Sequence, residues 1–144
     1  MGIVRAEIEI DAPAERIFDI LTDLSAYPEW NPFTPRVEST LRRGDPVHLF
    51  VRLRGERISH RVEYVTRNER PSRLCWGTTI GAGFLLRAER CQNLTPIDER
   101  RTRFVNQDEL RGWLAPLVML AFGSAMQRGF ESVATALKKR AEAS

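Results

Sequence analysis

The 144-residue sequence has no stretch approaching about 18 uninterrupted apolar residues, so no helix in it reads as membrane-spanning. Lysine is nearly missing. Lys138 and Lys139 are the only two, which leaves 20 of the 22 basic residues as arginine, a bias expected of a GC-rich bacterial genome. The formal charge of +3 and pI near 9.3 would suit an anionic partner, but no run of five like charges exists. A nucleic-acid surface would show clustered basic residues interleaved with aromatics, so nucleic acid is not expected as a partner. Cysteine is scarce too. Neither Cys75 nor Cys91 has a Cys or His three or four residues away, which excludes zinc-ligand spacing. Both lie in apolar, strand-like runs of a chain large enough to fold without staples. They are therefore expected to be buried free thiols in a reducing compartment. The N-terminus alternates charged and apolar residues, so it lacks the h-region of a signal peptide, and Ala6 stands where myristoylation wants Ser or Thr. These absences lead to the expectation of a cytoplasmic protein. A nucleophile elbow, a phosphate-binding glycine loop and a metal cluster are likewise missing, and no cofactor or metal is expected.

What is present fits one domain with a substantial core, at 42% hydrophobic and 28% charged residues. The chain is organised around the stretch from Leu114 to Arg140. There Met119, Gly123, Met126, Phe130, Val133 and Leu137 recur at steps of four and three, the period of one helix face. With Pro116 in its first turn the helix would be about 37 Å long, enough to lie along a whole sheet.

Most of what precedes it reads as strands. Val4, Ala6, Ile8 and Ile10 alternate with charged residues as a strand with one buried face. Asp11 then offers an N-cap oxygen, and a helix with the stripe Ile17, Phe18, Leu21 and Leu24 follows. A short helical turn from Ala26 to Trp30 ends at the prolines of 31–35. A meander begins with a strand over 37–41. Val47, Leu49, Val51 and Leu53 then point inward, and after a turn at Gly55 so do Ile58, His60, Val62 and Tyr64, with Ser59, Arg61 and Glu63 facing out. Leu74, Trp76 and Thr78 form the next inner set, with Tyr64 opposite Trp76. In the last hairpin, setting Leu94 against Phe104 brings Gln92 to Asn106 and Arg90 to Asp108. The other phase would present Glu89 to Glu109, so the first set is expected inside. The order describes an α+β domain over residues 1–144: six or seven antiparallel strands, two short helices after the first, and one long C-terminal helix.

Three stretches carry a resemblance. The run from Ile8 to Phe18, then Leu21-Thr22-Asp23-Leu24, then Tyr27-Pro28-Glu29-Trp30-Asn31-Pro32 is similar to the opening of the START-like (SRPBCC) superfamily, in its polyketide cyclase/dehydrase-like branch. Leu74-Cys75-Trp76, Leu94-Thr95-Pro96, Thr102-Arg103-Phe104 and Glu109-Leu110-Arg111-Gly112 continue it over nearly the whole chain. The resemblance implies a helix-grip fold: a curved antiparallel sheet around a long C-terminal helix, with an apolar cavity between them. It implies binding of lipids, sterols, hormones or polyketide intermediates, with or without catalysis. It transfers no catalytic set. Where such proteins often place His and an aromatic, this chain has Arg90 and Gln92, so a more polar pocket is expected.

The candidate catalytic residues are His60, Tyr64, Arg90 and Asp108. Arg90 would hold a ligand carboxylate or enolate while Asp108 acts as base, or the two form a structural ion pair. His60 would transfer protons, or be a hydrogen-bonded wall residue. Gln92 and Asn106 would orient a ligand carbonyl or satisfy each other. Val51, Val62, Tyr64 and Trp76 would line the cavity, Trp30 and Phe33 would gate its mouth or plug the core, and Met119, Phe122, Gly123 and Met126 would form an adaptable helix wall. Two functions fit: binding of a small hydrophobic molecule such as a lipid, polyketide or other aromatic metabolite, or cyclisation or dehydration of a polyketide-like substrate. Monomer and homodimer both remain open.

Overall fold

The computed structural model describes residues 2–143. Seven antiparallel strands form one curled, half-barrel sheet in the order β1-β7-β6-β5-β4-β3-β2. They are β1 (Gly2–Ile10), β2 (Arg36–Glu38), β3 (Pro46–Arg54), β4 (Arg57–Glu69), β5 (Arg73–Ile80), β6 (Leu86–Pro96) and β7 (Thr102–Arg111). Helix α1 (Ala14–Thr22) and a 3-10 turn (Leu24–Glu29) follow β1, and α2 (Ala115–Glu142) closes the chain against β1, β3, β7 and α1. The segregation of helices from an antiparallel meander is the α+β arrangement expected.

The core lies between the concave face and α2. Val4, Ala6 and Ile10 of β1, Val47, Leu49 and Val51 of β3, and Phe104 of β7 are buried there with Ile17, Phe18 and Leu21 of α1. In the last hairpin the expected register holds: Leu94 pairs with Phe104, Gln92 with Asn106 and Arg90 with Asp108, all on the concave side. Glu89 and Glu109 oppose each other on the convex face, where the Thr66 hydroxyl donates to Glu89 at 2.6 Å and Arg111 pairs with Glu109.

Several expectations are corrected. The first helix starts at Ala14 after Pro13, with no side-chain cap; the Asp11 amide instead donates to Glu142 Oε2 at 2.8 Å, tying β1 to the end of α2. The strand expected over 37–41 is Arg36–Glu38. Cys75 and Cys91 are not free thiols. They are direct partners on β5 and β6, with Cα atoms 4.2 Å apart, and form a disulfide on the convex face.

The largest correction is the phase of β4. Arg54 pairs with Arg57 across the tight Gly55-Glu56 turn, and continuing that register would oppose Val51 to His60 and Leu49 to Val62. A bulge between Val51 and Arg54 slips the ladder by one residue, so Val51 meets Ser59, Leu49 meets Arg61 and Val47 meets Glu63. One added residue exchanges the faces of a strand. Ser59, Arg61 and Glu63 therefore share the concave face with Val51, Leu49 and Val47, while Ile58, His60, Val62 and Tyr64 stand on the convex face, exposed. Tyr64 pairs with Gly77, and it is Val65 that faces Trp76.

Candidate functional site

Four neighbouring strands place a polar cluster in the concave wall. Trp76, Arg90 and Asp108 form one cross-strand row over β5, β6 and β7, and Asn106 and Gln92 form the adjoining pair. Arg90 is buried: its Nε donates to Asn106 Oδ1 at 3.2 Å, and its guanidinium lies 4.7 Å from the Phe130 ring centre, 5.8 Å from Trp76 and 6.0 Å from Phe33. An aromatic box of this kind stabilises a cation through the ring faces. Burial holds the Arg90 guanidinium below its ordinary value, and Asp108, Glu63 and Tyr27 act against that shift.

The box is held by local features. Asn31 Oδ1 accepts from the Phe33 amide at 3.1 Å and the Thr34 amide at 2.8 Å, a turn that presents Phe33 to the helix. Phe33 meets Phe130 edge-on at 6.1 Å and lies on Gly129, where a Cβ would stand 2.3 Å from the Phe33 ring. Trp30 is half-buried and packs edge-on against Tyr27 at 5.1 Å, so it plugs the core. The buried Tyr27 hydroxyl donates to the Leu21 carbonyl at 2.6 Å.

Two carboxyls face this cationic centre. Asp108 is pushed up to about 6, chiefly by burial, with Arg90 and Arg61 pulling it down. Glu63 is pushed up to about 7 by burial and by Asp108, against Arg90 and Arg61. Both thus titrate near neutrality, where a carboxyl can give or take a proton. Three buried polar atoms of the two rows have no protein partner: the donors Trp76 Nε1 and Asn106 Nδ2 and the acceptor Asp108 Oδ1. Buried polar atoms are ordinarily paired, and these three stand on the same face of β5 and β7, on either side of the strand that carries Arg90.

Of the residues expected at the site, the structure brings together Phe33, Trp76, Arg90, Gln92, Asn106 and Asp108 on the concave side, with Val51 buried in the β3 wall. Met119, Phe122 and Met126 of α2 are half-buried, and Gly123 is buried with Met119 Cε 3.4 Å from where its Cβ would be. It does not bring His60, Val62 or Tyr64. His60 stacks on Phe50 at 4.6 Å and its Nε2 lies 3.0 Å from His48 Nδ1, on the outer face. Tyr64 lines a convex groove of about 550 Å³ with Gly77 and Arg87. Arg61, Glu63 and Gly129 are the residues the sequence reading missed. An open groove of about 310 Å³ reaches Phe33 and Gly129 between the β3–β4 turn and the middle of α2. Among the described residues Cys75, Glu89 and Cys91 bring ligand atoms within 4.8 Å of one another, but both sulfurs are engaged in the disulfide.

The model of the polyketide cyclase/dehydrase and lipid transport family matches residues 1–142. The chain belongs to that family. Solved structures share its fold. A START superfamily protein from Mycobacterium smegmatis superposes with a TM-score of 0.73 at 22% identity, covering 97% of each chain. TTHA0849 from Thermus thermophilus gives 0.72 at 22% identity, again over 97% of each chain. The Zhui aromatase/cyclase from Streptomyces sp. R1128 gives 0.64 at 18% identity, over 99% of this chain and 96% of that one. No curated protein matches the sequence. The sheet gripping α2 is the helix-grip arrangement of this family, and no helix of the described residues is long and apolar enough to cross a membrane.

Proposed function

We propose that the concave face binds a small molecule with an apolar body and an oxygen-bearing head, such as a lipid, polyketide or aromatic metabolite. The observation that carries this reading is the set of unpartnered buried atoms at Trp76, Asn106 and Asp108 around the boxed Arg90. A carbonyl or carboxylate oxygen would accept from the two free donors and the guanidinium, and a hydroxyl would donate to Asp108. The half-buried Met119, Phe122 and Met126 would adapt to the apolar body. Family membership supports a hydrophobic ligand. Native mass spectrometry of protein purified from its host tests for a carried molecule. A thermal-shift comparison of naphthoate with naphthalene tests the head group: naphthoate should raise the melting temperature more. Equal or absent shifts together with no carried ligand would overturn the reading.

One observation favours a second reading, a polyketide cyclase or dehydratase acting on such a guest. Glu63 and Asp108, at about 7 and about 6, flank a fixed cation, the arrangement needed to remove a proton next to a carbonyl and stabilise the enolate formed. The enzyme would need no cofactor. On a substrate that is turned over, Glu63→Gln and Asp108→Asn should each lower kcat by about a hundredfold or more. Unchanged turnover in both would leave binding alone.

A further inference from the structure

The topology gathers the β3–β4 turn, the β5–β6 turn and the β7–α2 junction at one end of the sheet. Side chains suited to a core stand in solvent there. Leu120 is 85% exposed, Trp113 79%, Leu117 61% and Phe84 58%. Two of them touch: the Phe84 and Trp113 rings meet edge-on at 5.9 Å, and the Trp113 amide donates to the Phe84 carbonyl at 3.1 Å. Leu117 and Leu120 stand three apart on one side of the first turns of α2, and Trp113 lies in the turn that leads into it.

The charge beside the patch has one prevailing sign. The sequence has no Asp or Glu between Glu69 and Glu89, or between Glu109 and Glu131, the two segments that build it. Arg54 lies over the Phe122 ring at 5.0 Å and donates to the Ala121 carbonyl, while Arg87 is exposed beside Gly83. Glu109 is paired with Arg111, and Glu56 of the β3–β4 turn with Arg52 at 3.8 Å. A bilayer interface matches both features: its acyl boundary takes Leu and Phe, its headgroup level takes Trp, and anionic phosphates take Arg.

We propose that this end of the fold docks peripherally on an anionic phospholipid bilayer, with Phe84, Trp113, Leu117 and Leu120 entering the interface and Arg54 and Arg87 meeting phosphates. Docking does not depend on which molecule the concave face holds. It is tested by co-sedimentation of the full chain with vesicles of phosphatidylcholine alone and of phosphatidylcholine with phosphatidylglycerol in a two-to-one ratio. The chain should bind the mixed vesicles about tenfold or more tightly than the neutral ones. Trp113→Glu with Leu120→Glu should abolish binding, and Arg54→Gln with Arg87→Gln should remove the preference for phosphatidylglycerol. Both substituted apolar residues are exposed, so melting temperatures should not change; if the Glu variant melts early, Trp113→Ser with Leu120→Ser serves in its place. No sedimentation with either vesicle, or equal sedimentation by the parent and the apolar variant, would overturn the proposal. So would a lipid-free dimer lost in the same variant, which would assign the patch to a second copy.

Discussion

From Gly129 to Ala141, α2 buries Gly129, Phe130, Val133, Ala134, Leu137 and Ala141, whereas from Leu117 to Met126 it leaves Leu117 and Leu120 in solvent and Met119, Phe122 and Met126 half-covered. The difference lies in what faces each half. The second half has Phe33 on Gly129 and Lys138 on the Glu9 carbonyl at 2.9 Å, so the helix seats directly on the chain beneath it. The first half stands at the sheet end where Arg61 is exposed and Glu63 half-buried on the concave side, side chains that no close-packed helix would cover. One helix thus anchors the fold through its second half, which also supplies Phe130 to the Arg90 box, and leaves its first half partly uncovered.

Phe130→Ala should have the largest effect, about 3–5 kcal/mol of stability in urea unfolding, because it empties a packed site and removes a ring from the Arg90 box. A loss under about 1 kcal/mol would mean that the anchored half is not close-packed. Next comes pH. Burial, and at Glu63 also the neighbouring Asp108, raises the folded values of these carboxyls above their unfolded ones, so the native state binds protons more tightly. Their contribution is full below about pH 4 and is lost as pH rises through about 6 and 7. Glu63→Gln should flatten about half of that slope in urea midpoints taken across this window, leaving the part due to Asp108, and an unchanged slope would place Glu63 outside the cluster. The smallest stability effect is expected at Gly123→Leu, within about 1 kcal/mol, since the gain in helix propensity offsets displacement of the flexible Met119 end. Naphthoate binding should nevertheless fall. A large stability loss with unchanged binding would make the first half structural like the second.

Much of this was legible from side-chain pattern. The hairpin of β6 and β7 could be registered because Leu94–Phe104, Gln92–Asn106 and Arg90–Asp108 are matched pairs, and the long helix announced itself by period. The phase of β4 could not be read that way. Its apolar residues Ile58, Val62 and Tyr64 face outward and its charged Arg61 and Glu63 inward, the reverse of a core strand, and the bulge in β3 that causes it has no turn residue to mark it. The strand that breaks the pattern adds Arg61 and Glu63 to the Arg90 and Asp108 of β6 and β7. Cys75 and Cys91 were read from their apolar surroundings, although only strand register decides whether two sulfurs meet. Gly129 carries no signal in the sequence, because the need for it comes from Phe33, far away along the chain.

The chain's three tryptophans offer the most direct test of the binding reading. In nitrogen–proton spectra each indole N–H gives its own resonance, and Trp76→Phe identifies that of Trp76. On titration with naphthoate, the Trp76 indole proton should move downfield as Nε1 gains an acceptor, while that of the exposed Trp113 should stay in place. A saturating titration that leaves the Trp76 resonance unmoved would contradict a polar head seated beside Arg90.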